Sequence, residues 1–228
     1  MSGIFNPENK FWDFIGKLAD VTFMSMLWLI TSLPIVTAGA ATTAFYDFTM
    51  HQVNDREGTV WRSYFRSFRK NFRRGTAIWL IELAAVVFFG FDFWAAWKYF
   101  VATGGVWSIV VLGMTACALI LVLLTGFYAY PMLATFDFPV KKLVTNSFIM
   151  AVGNLPTTLV ILLIFGIAAV ASYYLSGIFF IFFGLAVFFS SYFFFAVFWR
   201  YTEKDEDEED SEEDLASARA KKLFSKKK

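Results

Sequence analysis

Two carboxylates lie inside one apolar stretch of the sequence, and they are the side chains best placed to do chemistry. Glu82 and Asp92 both fall within residues 76–97. On a helix, ten residues separate them by about 15 Å, which is too far for a paired general acid and base. A carboxylate inside a membrane span is costly and often functional. Glu82 is therefore a candidate for an ion or substrate role, whereas Asp92 is expected to face water or Lys98.

Structural roles for Glu82 stay open beside this functional one. The side chain can extend to the membrane interface, pair with a cytoplasmic arginine such as Arg74, or hydrogen-bond a hydroxyl group of a neighbouring helix. Each of these contacts would satisfy the carboxylate without giving it an activity.

The chain has one histidine, His51, and one cysteine, Cys117. Single residues of these types exclude an intramolecular disulfide, a thiolate metal site and a histidine pair. The sequence also lacks a phosphate-binding glycine loop, HExxH, GxSxG and a dinucleotide fingerprint. We therefore expect no cofactor, no metal and no enzyme activity, and a solvated or capping role for His51.

The composition indicates which kind of fold must position these groups. Hydrophobic residues make up 58 % of the 228 residues and charged residues 17 %, with 30 Phe and 8 Trp. A water-soluble fold of this size could not bury so much apolar surface. Residues 1–20 lack the pattern of a removable signal peptide, so the first span should be permanent. The predicted fold is all-α, a polytopic membrane protein with five spans at residues 21–38, 76–97, 106–130, 155–175 and 178–199.

The distribution of lysine and arginine predicts the orientation of these spans. Placing the loops 39–75 and 136–154 and the tail in the cytoplasm puts 17 of the 20 basic residues inside. The N-terminus is then outside and the C-terminus inside. We divide the chain into a membrane domain at 1–200 and a disordered, charged cytoplasmic tail at 201–228, because residues 203–214 are mostly acidic.

The first cytoplasmic loop contains a strongly amphipathic segment at residues 59–74. On a helical wheel its aromatic and basic residues occupy separate faces, which predicts an interfacial helix with its apolar face in the acyl boundary. Its basic face would bind anionic headgroups or, alternatively, a protein partner, and nothing else in the chain supports nucleic-acid binding. Less charged helices are predicted within 40–54 and 136–154. The docking residues are Trp61, Phe65, Phe68 and Phe72 on the apolar face, and Arg62, Arg66, Arg69, Lys70, Arg73 and Arg74 on the basic face.

Pro34 marks the inner end of the first span. Proline removes a backbone hydrogen bond and clashes with the preceding turn, so it kinks or ends a helix. The hydroxyl groups of Thr31 and Thr37 are close enough in sequence to compensate the freed backbone groups. We expect a bend here, where the chain turns into its loop.

Two sequence blocks resemble the YesL-like family, an uncharacterised family of small bacterial membrane proteins, mostly from Gram-positive species. The blocks are LPIVTAGAATTA at residues 33–44 and YFRSFRKNF at residues 64–72. The resemblance covers roughly residues 5–200 and implies a gene context beside carbohydrate ABC importers, without established catalytic residues. It also implies the plasma membrane of a bacterium as the location.

Two functions follow as hypotheses. In the first, the chain is a non-catalytic accessory or scaffold subunit in the lipid bilayer, bound to the permease subunits of a carbohydrate ABC importer. In the second, it is a small transporter or channel in its own right that uses Glu82. The sequence does not identify the solute.

Overall fold

A computed structural model describes residues 10–54, 60–175 and 178–225, and every regular element in these stretches is a helix. The elements in chain order are α1 (Lys10–Ser32), a 3-10 turn (Ile35–Thr37), α2 (Ala38–Val53), α3 (Val60–Thr103), α4 (Val106–Thr135), α5 (Val140–Gly153), α6 (Leu155–Tyr174) and α7 (Phe179–Ser225). The predicted all-α class is confirmed.

Five of these helices are long and apolar enough to cross a membrane within the described residues. Their apolar segments are Phe14–Ser32, Trp61–Thr103, Val106–Thr135, Leu155–Tyr174 and Phe179–Thr202. The number of spans is as predicted, and the last three agree with the predicted bounds to within a few residues. The first does not. Its predicted range of 21–38 is wrong, because α1 ends at Ser32 and the chain re-enters a helix only at Ala38.

Pro34 is the reason for this early end. Its backbone is extended, with φ −73° and ψ 107°, and it precedes the 3-10 turn. The Thr37 hydroxyl donates to the carbonyl groups of Pro34 (2.7 Å) and Thr31 (2.5 Å). The Thr31 hydroxyl in turn donates to the Leu27 carbonyl at 2.8 Å. Pro34 therefore ends α1 instead of kinking it. The Thr37 hydroxyl compensates a carbonyl freed at the end of α1, as predicted, whereas the Thr31 hydroxyl bonds a carbonyl inside the helix.

Helix α2 is the most enclosed element of the bundle and lies against α1, α3, α4 and α7. Trp28 of α1 donates to the Thr42 hydroxyl at 3.1 Å, and Thr49 pairs with Ser191 of α7 at 2.7 Å. The Tyr46 hydroxyl oxygen lies 3.4 Å from the hydroxyl oxygen of Ser190, which is also in α7. The sequence predicted a helix here with one apolar side, but most positions from Gly39 to Met50 are buried. Small residues at 38–44 allow this close approach of neighbouring helices.

Helix α3 runs without interruption through 44 residues, or about 66 Å. The separate interfacial helix predicted at 59–74 is therefore wrong as an independent element, because no proline separates it from the span that follows. Its described side chains also contact protein. Tyr64 is buried and bonds the Thr31 hydroxyl at 2.6 Å. A buried stripe continues along the helix at Ser67, Asn71, Gly75 and Ile78.

Helices α3 and α4 form an antiparallel hairpin that places the candidate site. Gly104, with φ +59°, adopts the left-handed conformation that lets the chain reverse between them. Helix α5 then packs on α4, where Leu143 is buried and Ser147 lies 3.6 Å from the Met132 sulfur. The helix predicted within 136–154 is thus present, at Val140–Gly153.

Helix α7 differs from the sequence expectation at its C-terminal end. Its backbone remains helical to Ser225, whereas a disordered tail was expected from residue 201. Residues 185–225 contain neither glycine nor proline, and Glu, Lys, Ala and Arg are good helix formers. The division at residue 200 into a membrane domain and a charged tail stays a prediction.

Candidate ligand site between α3, α4 and α5

Glu82 is half-buried and faces α4. The Tyr130 hydroxyl donates a hydrogen bond to the Glu82 carboxylate. Of the structural roles considered for this residue, the bond to a neighbouring hydroxyl is therefore the one present. Arg74 does not take part, because it pairs with Asp137 at 3.2 Å.

Gly126 makes room for the Glu82 carboxylate on the surface of α4. A Cβ atom at position 126 would overlap with both the carboxylate carbon and its oxygens. Only glycine leaves this space without displacing the acid. Together, Gly126 and Tyr130, one helical turn apart, form a small seat that holds the carboxylate against the α4 backbone.

An apolar cavity of about 360 Å³ opens beside this seat, between α3, α4 and α5. Ligand sites in proteins commonly measure about 300–1,000 Å³ and combine an apolar lining with a few polar groups. The hydroxyl groups of Thr125 and Thr145 donate to carbonyls of their own helices, at 2.8 and 3.1 Å. Glu82 is thus the ionisable group of a lining made of Ile78, Ile81, Glu82, Ala85, Val122, Thr125, Gly126, Ala129, Val144, Thr145 and Phe148.

A basic cleft of about 460 Å³ precedes the cavity along α3 and is lined by Arg69, Lys70, Phe72, Arg73, Arg74 and Asp137. Lys70 and Arg74 each form an ion pair with Asp137, at 3.1 and 3.2 Å. The hydrogen bond and charge of Lys70, assisted by Arg74, hold the pKa of the Asp137 carboxyl below its usual value. Four cationic side chains and one carboxylate line the cleft, so it has an excess of positive charge suited to an anion.

The predicted docking residues divide between different surroundings. Arg62 and Arg66 are exposed outside the cleft, while Arg69, Lys70, Phe72, Arg73 and Arg74 line it. Trp61 is exposed and its ring lies 6.3 Å from that of Phe23. Phe65 and Phe68 pack against the protein core. The predicted apolar face therefore contacts protein through part of its aromatic residues.

The remaining ionisable candidates lie away from the cavity. Asp92 is exposed, and the Lys98 ammonium lies over the Trp94 ring at 5.8 Å. The His51 ring nitrogen Nδ1 lies 2.6 Å from the Asp47 carbonyl in the last turn of α2, in keeping with the predicted capping role. Within the part of the chain that the structure describes, no three His, Cys, Asp or Glu side chains come together as a metal site would require.

Asp47 lies at the edge of the same basic region. Burial raises the pKa of its carboxyl, against the opposing effects of the His51 charge, a hydrogen bond with Ser67 and the Lys70 charge. Lys70 therefore acts on two carboxyls whose pKa values are shifted in opposite directions.

Sequence reasoning identified Glu82 and the basic residues, but it missed Gly126, Tyr130 and Asp137. A usable signal was present. The Gly104-Gly105 pair marks the reversal of the hairpin, and Glu82 precedes it by about as many residues as Gly126 follows it. Counting the same number of residues forward from the turn places Gly126 opposite Glu82, with Tyr130 one helical turn further along α4.

Residues 21–93 match the model of a family described as "Protein of unknown function, DUF624". The match includes Glu82 and the basic residues of α3, and it ends before Tyr130 and Asp137. The resemblance to the YesL-like family is consistent with it. No curated protein and no solved structure matches the chain.

Proposed function

We propose that this protein is a non-catalytic accessory or scaffold subunit of a transport complex in the bacterial plasma membrane. Its N-terminus would lie outside the cell and its C-terminus in the cytoplasm, as the positive-inside rule favours. The observation that carries the proposal is the continuity of α3, which joins a basic segment directly to a span. A partner bound to that segment would be held in a fixed relation to the membrane.

The basic N-terminal segment of α3 has one face that packs in the bundle and one that is exposed. The buried stripe from Tyr64 to Ile78 packs against the rest of the bundle, which includes α1 at Tyr64 and α2 at Gly75. An exposed stripe of four arginines lies opposite on the helical wheel, since its members recur every three or four residues. We call these residues, Arg62, Arg66, Arg69 and Arg73, the arginine stripe. An acidic surface of another subunit is the complement that such a stripe favours.

The identity of the partner comes from the family resemblance. That resemblance implies a gene context beside carbohydrate ABC importers, so the permease subunits of such an importer are the proposed partners. The arginine stripe favours an acidic protein surface in general, and the family resemblance points to the particular complex.

Co-purification in mild detergent tests this proposal. The full-length protein should retain the co-encoded permease subunits, and the double variant Arg62→Gln/Arg66→Gln should retain much less. The matched control is Lys70→Gln/Arg74→Gln, which removes the same charge from the neighbouring cleft and should leave retention unchanged. If the protein purifies alone while the permeases and their ATPase stay together, and if its deletion leaves sugar uptake unchanged, the proposal is wrong.

A second candidate function rests on the position of Glu82 in the wall of the apolar cavity. In this alternative the protein is itself a small transporter or channel, and Glu82 handles the solute or its coupling ion. Proteoliposomes that contain the protein alone should then show solute flux, and Glu82→Gln should abolish it while Asp92→Asn leaves it intact. The accessory role expects no flux from the protein alone.

A further inference from the structure

We propose that the basic cleft and the apolar cavity together bind one anionic phospholipid. The phosphate of the headgroup would lie in the cleft and accept hydrogen bonds from the N–H donors of Lys70 and Arg74 that Asp137 does not use. One acyl chain would enter the cavity between α3, α4 and α5. The site is separate in function from the partner surface proposed above, because Lys70 and Arg74, which would bind the phosphate, are not part of the arginine stripe. Arg69 and Arg73 of that stripe also line the cleft.

The register of α3 connects the two recesses. Lys70 and Arg74 of the cleft, followed by Ile78, Ile81 and Ala85 of the cavity, recur at intervals of three or four residues. Such residues lie on one side of a helix. From Ile78 to Ala85 this line rises about 10 Å, which fits within one leaflet of a hydrocarbon core about 30 Å thick. A single amphiphilic molecule can therefore contact both recesses.

The cleft has the donors that a phosphate group requires. A lysine ammonium has three N–H donors and an arginine guanidinium has five. The bonds of Lys70 and Arg74 to Asp137 use only part of this capacity while they fix both side chains in position. Arginine binds phosphate through a planar fork and lysine as a point charge, so this pair suits a phosphate well. Phe72 adds an exposed aromatic ring at the rim of the cleft.

The cavity suits an acyl chain better than a polar ligand. Its walls are mostly aliphatic and aromatic, and the hydroxyl groups of its threonines bond to their own helices. The Glu82 carboxylate is held on the α4 wall by Tyr130 and lies against Gly126. A soluble anion would use the cleft alone. A phospholipid uses both recesses, and the charge of the cleft selects an anionic one.

Binding to the full-length protein in detergent tests the site, with fluorescent phosphatidylglycerol as the probe and fluorescent phosphatidylcholine, which is zwitterionic with no net charge, as the reference. The wild type should bind phosphatidylglycerol more tightly than phosphatidylcholine. Lys70→Gln/Arg74→Gln should weaken binding of phosphatidylglycerol by about 30-fold, because each basic residue near an anionic lipid contributes about fivefold. Arg62→Gln/Arg66→Gln, with equal charge loss, should bind within twofold of the wild type.

A second pair of variants tests the acyl-chain part of the site. Ala85 lines the cavity, whereas the neighbouring Ala84 is exposed outside it. Ala85→Phe should fill the cavity and weaken binding of phosphatidylglycerol, while Ala84→Phe should not. Unchanged binding by Ala85→Phe would overturn the proposal, as would equal affinity for the two lipids. Displacement of the probe by inorganic phosphate or by a poly-glutamate peptide at equal concentration would instead assign the cleft to a soluble anion or to an acidic protein segment.

Discussion

Gly39 of α2 and Gly75 of α3 meet backbone to backbone. A Cβ atom at Gly75 would lie 2.9 Å from the Cα of Ala40, and one at Gly39 would lie 2.6 Å from the Cβ of Trp79. Neither position has room for a side chain. This crossing brings α2 against the helix that carries both the basic cleft and Glu82, so the geometry of the candidate site depends on it.

Alanine at the crossing should therefore destabilise the protein. Gly75→Ala must push backbone away from backbone, and overpacking of this kind costs about 1–3 kcal/mol. The control is Gly90→Ala on the same helix, where a Cβ meets nothing within 4 Å. The Gly90→Ala variant should be as stable as the wild type or up to about 1 kcal/mol more stable, because alanine is a better helix former than glycine. The stability of both variants can be measured by thermal unfolding in detergent, with size-exclusion chromatography as the readout. Equal melting temperatures for the two variants would contradict the crossing.

Gly126 and Glu82 should show strong energetic coupling. Gly126→Ala places a methyl group where the Glu82 carboxylate lies, so it should destabilise the wild-type protein. In the Glu82→Ala background the space is empty, and the same change should cost much less. These four proteins form a double-mutant cycle, in which the unfolding free energies of contacting residues typically depart from additivity by about 0.5–3 kcal/mol. Gly113→Ala, on the same helix in open space, should behave alike in both backgrounds. Additive effects of the Gly126 and Glu82 changes would show that the carboxylate does not rest on Gly126.

The sequence was sufficient for the number of helices long and apolar enough to cross a membrane, because that length and apolarity follow from the thickness of the bilayer. It was misleading where tertiary packing decides. The aromatic and basic faces of residues 59–74 are typical of an interfacial helix, yet Tyr64 bonds Thr31 and the helix continues into the span. Amphipathicity shows that a face is covered, but it does not distinguish lipid from protein as the cover.

The candidate site was predictable in part for a related reason. A carboxylate in an apolar stretch requires a partner, so Glu82 stands out in the sequence. Tyr130 and Asp137 do not stand out, because a tyrosine near a helix end and an acid in a loop are ordinary features. Their roles arise from the α3–α4 hairpin, which joins residues 48 and 63 positions apart in the chain.

The continuity of α3 predicts a long distance between spin labels. Labels at the exposed positions Arg66 and Asp92 are 26 residues apart and should be separated by about 39 Å along a straight helix. If residues 59–74 instead lay flat in the interface, a right-angle bend near Gly75 would bring them to about 29 Å. A control pair at Ile81 and Tyr99, both on the span, should give about 27 Å in either case. Double electron–electron resonance in nanodiscs distinguishes the two arrangements, and a distance near the shorter value would contradict a continuous helix.

The opposite pKa shifts of Asp47 and Asp137 predict opposite contributions to stability as the pH changes. Burial raises the pKa of Asp47, so the folded state favours its neutral form. Stability from this residue is therefore present at low pH and is lost as the pH rises from the ordinary value of 3.8 through the raised pKa. Asp47→Asn should remove this decline, which a pH series of melting temperatures in detergent would measure.

Asp137 should show the reverse dependence. Its pKa is lowered by Lys70 and Arg74, so its ion pairs stabilise the fold above the ordinary value of 3.8. That stability is lost as the pH falls from 3.8 through the lowered pKa. Asp137→Asn should therefore flatten the acid side of the same melting profile. Asp47→Asn, in contrast, should change the profile at higher pH. Identical profiles for the two variants would show that the pKa values of the two carboxyls are not shifted in opposite directions.

The proposed orientation predicts which positions an impermeant maleimide reaches in intact cells. Cys117 is exposed on α4, so single cysteines are best introduced in a Cys117→Ala background. Ser63→Cys and Ser211→Cys should be unreactive, because the positive-inside rule places the loop 39–75 and the tail in the cytoplasm. Thr103→Cys, at the C-terminal end of α3, should lie on the opposite side and be labelled. After permeabilisation all three should react, which shows that each cysteine is accessible. Labelling of Ser63→Cys and Ser211→Cys in intact cells, with Thr103→Cys protected, would reverse the topology and place the basic cleft outside the cell.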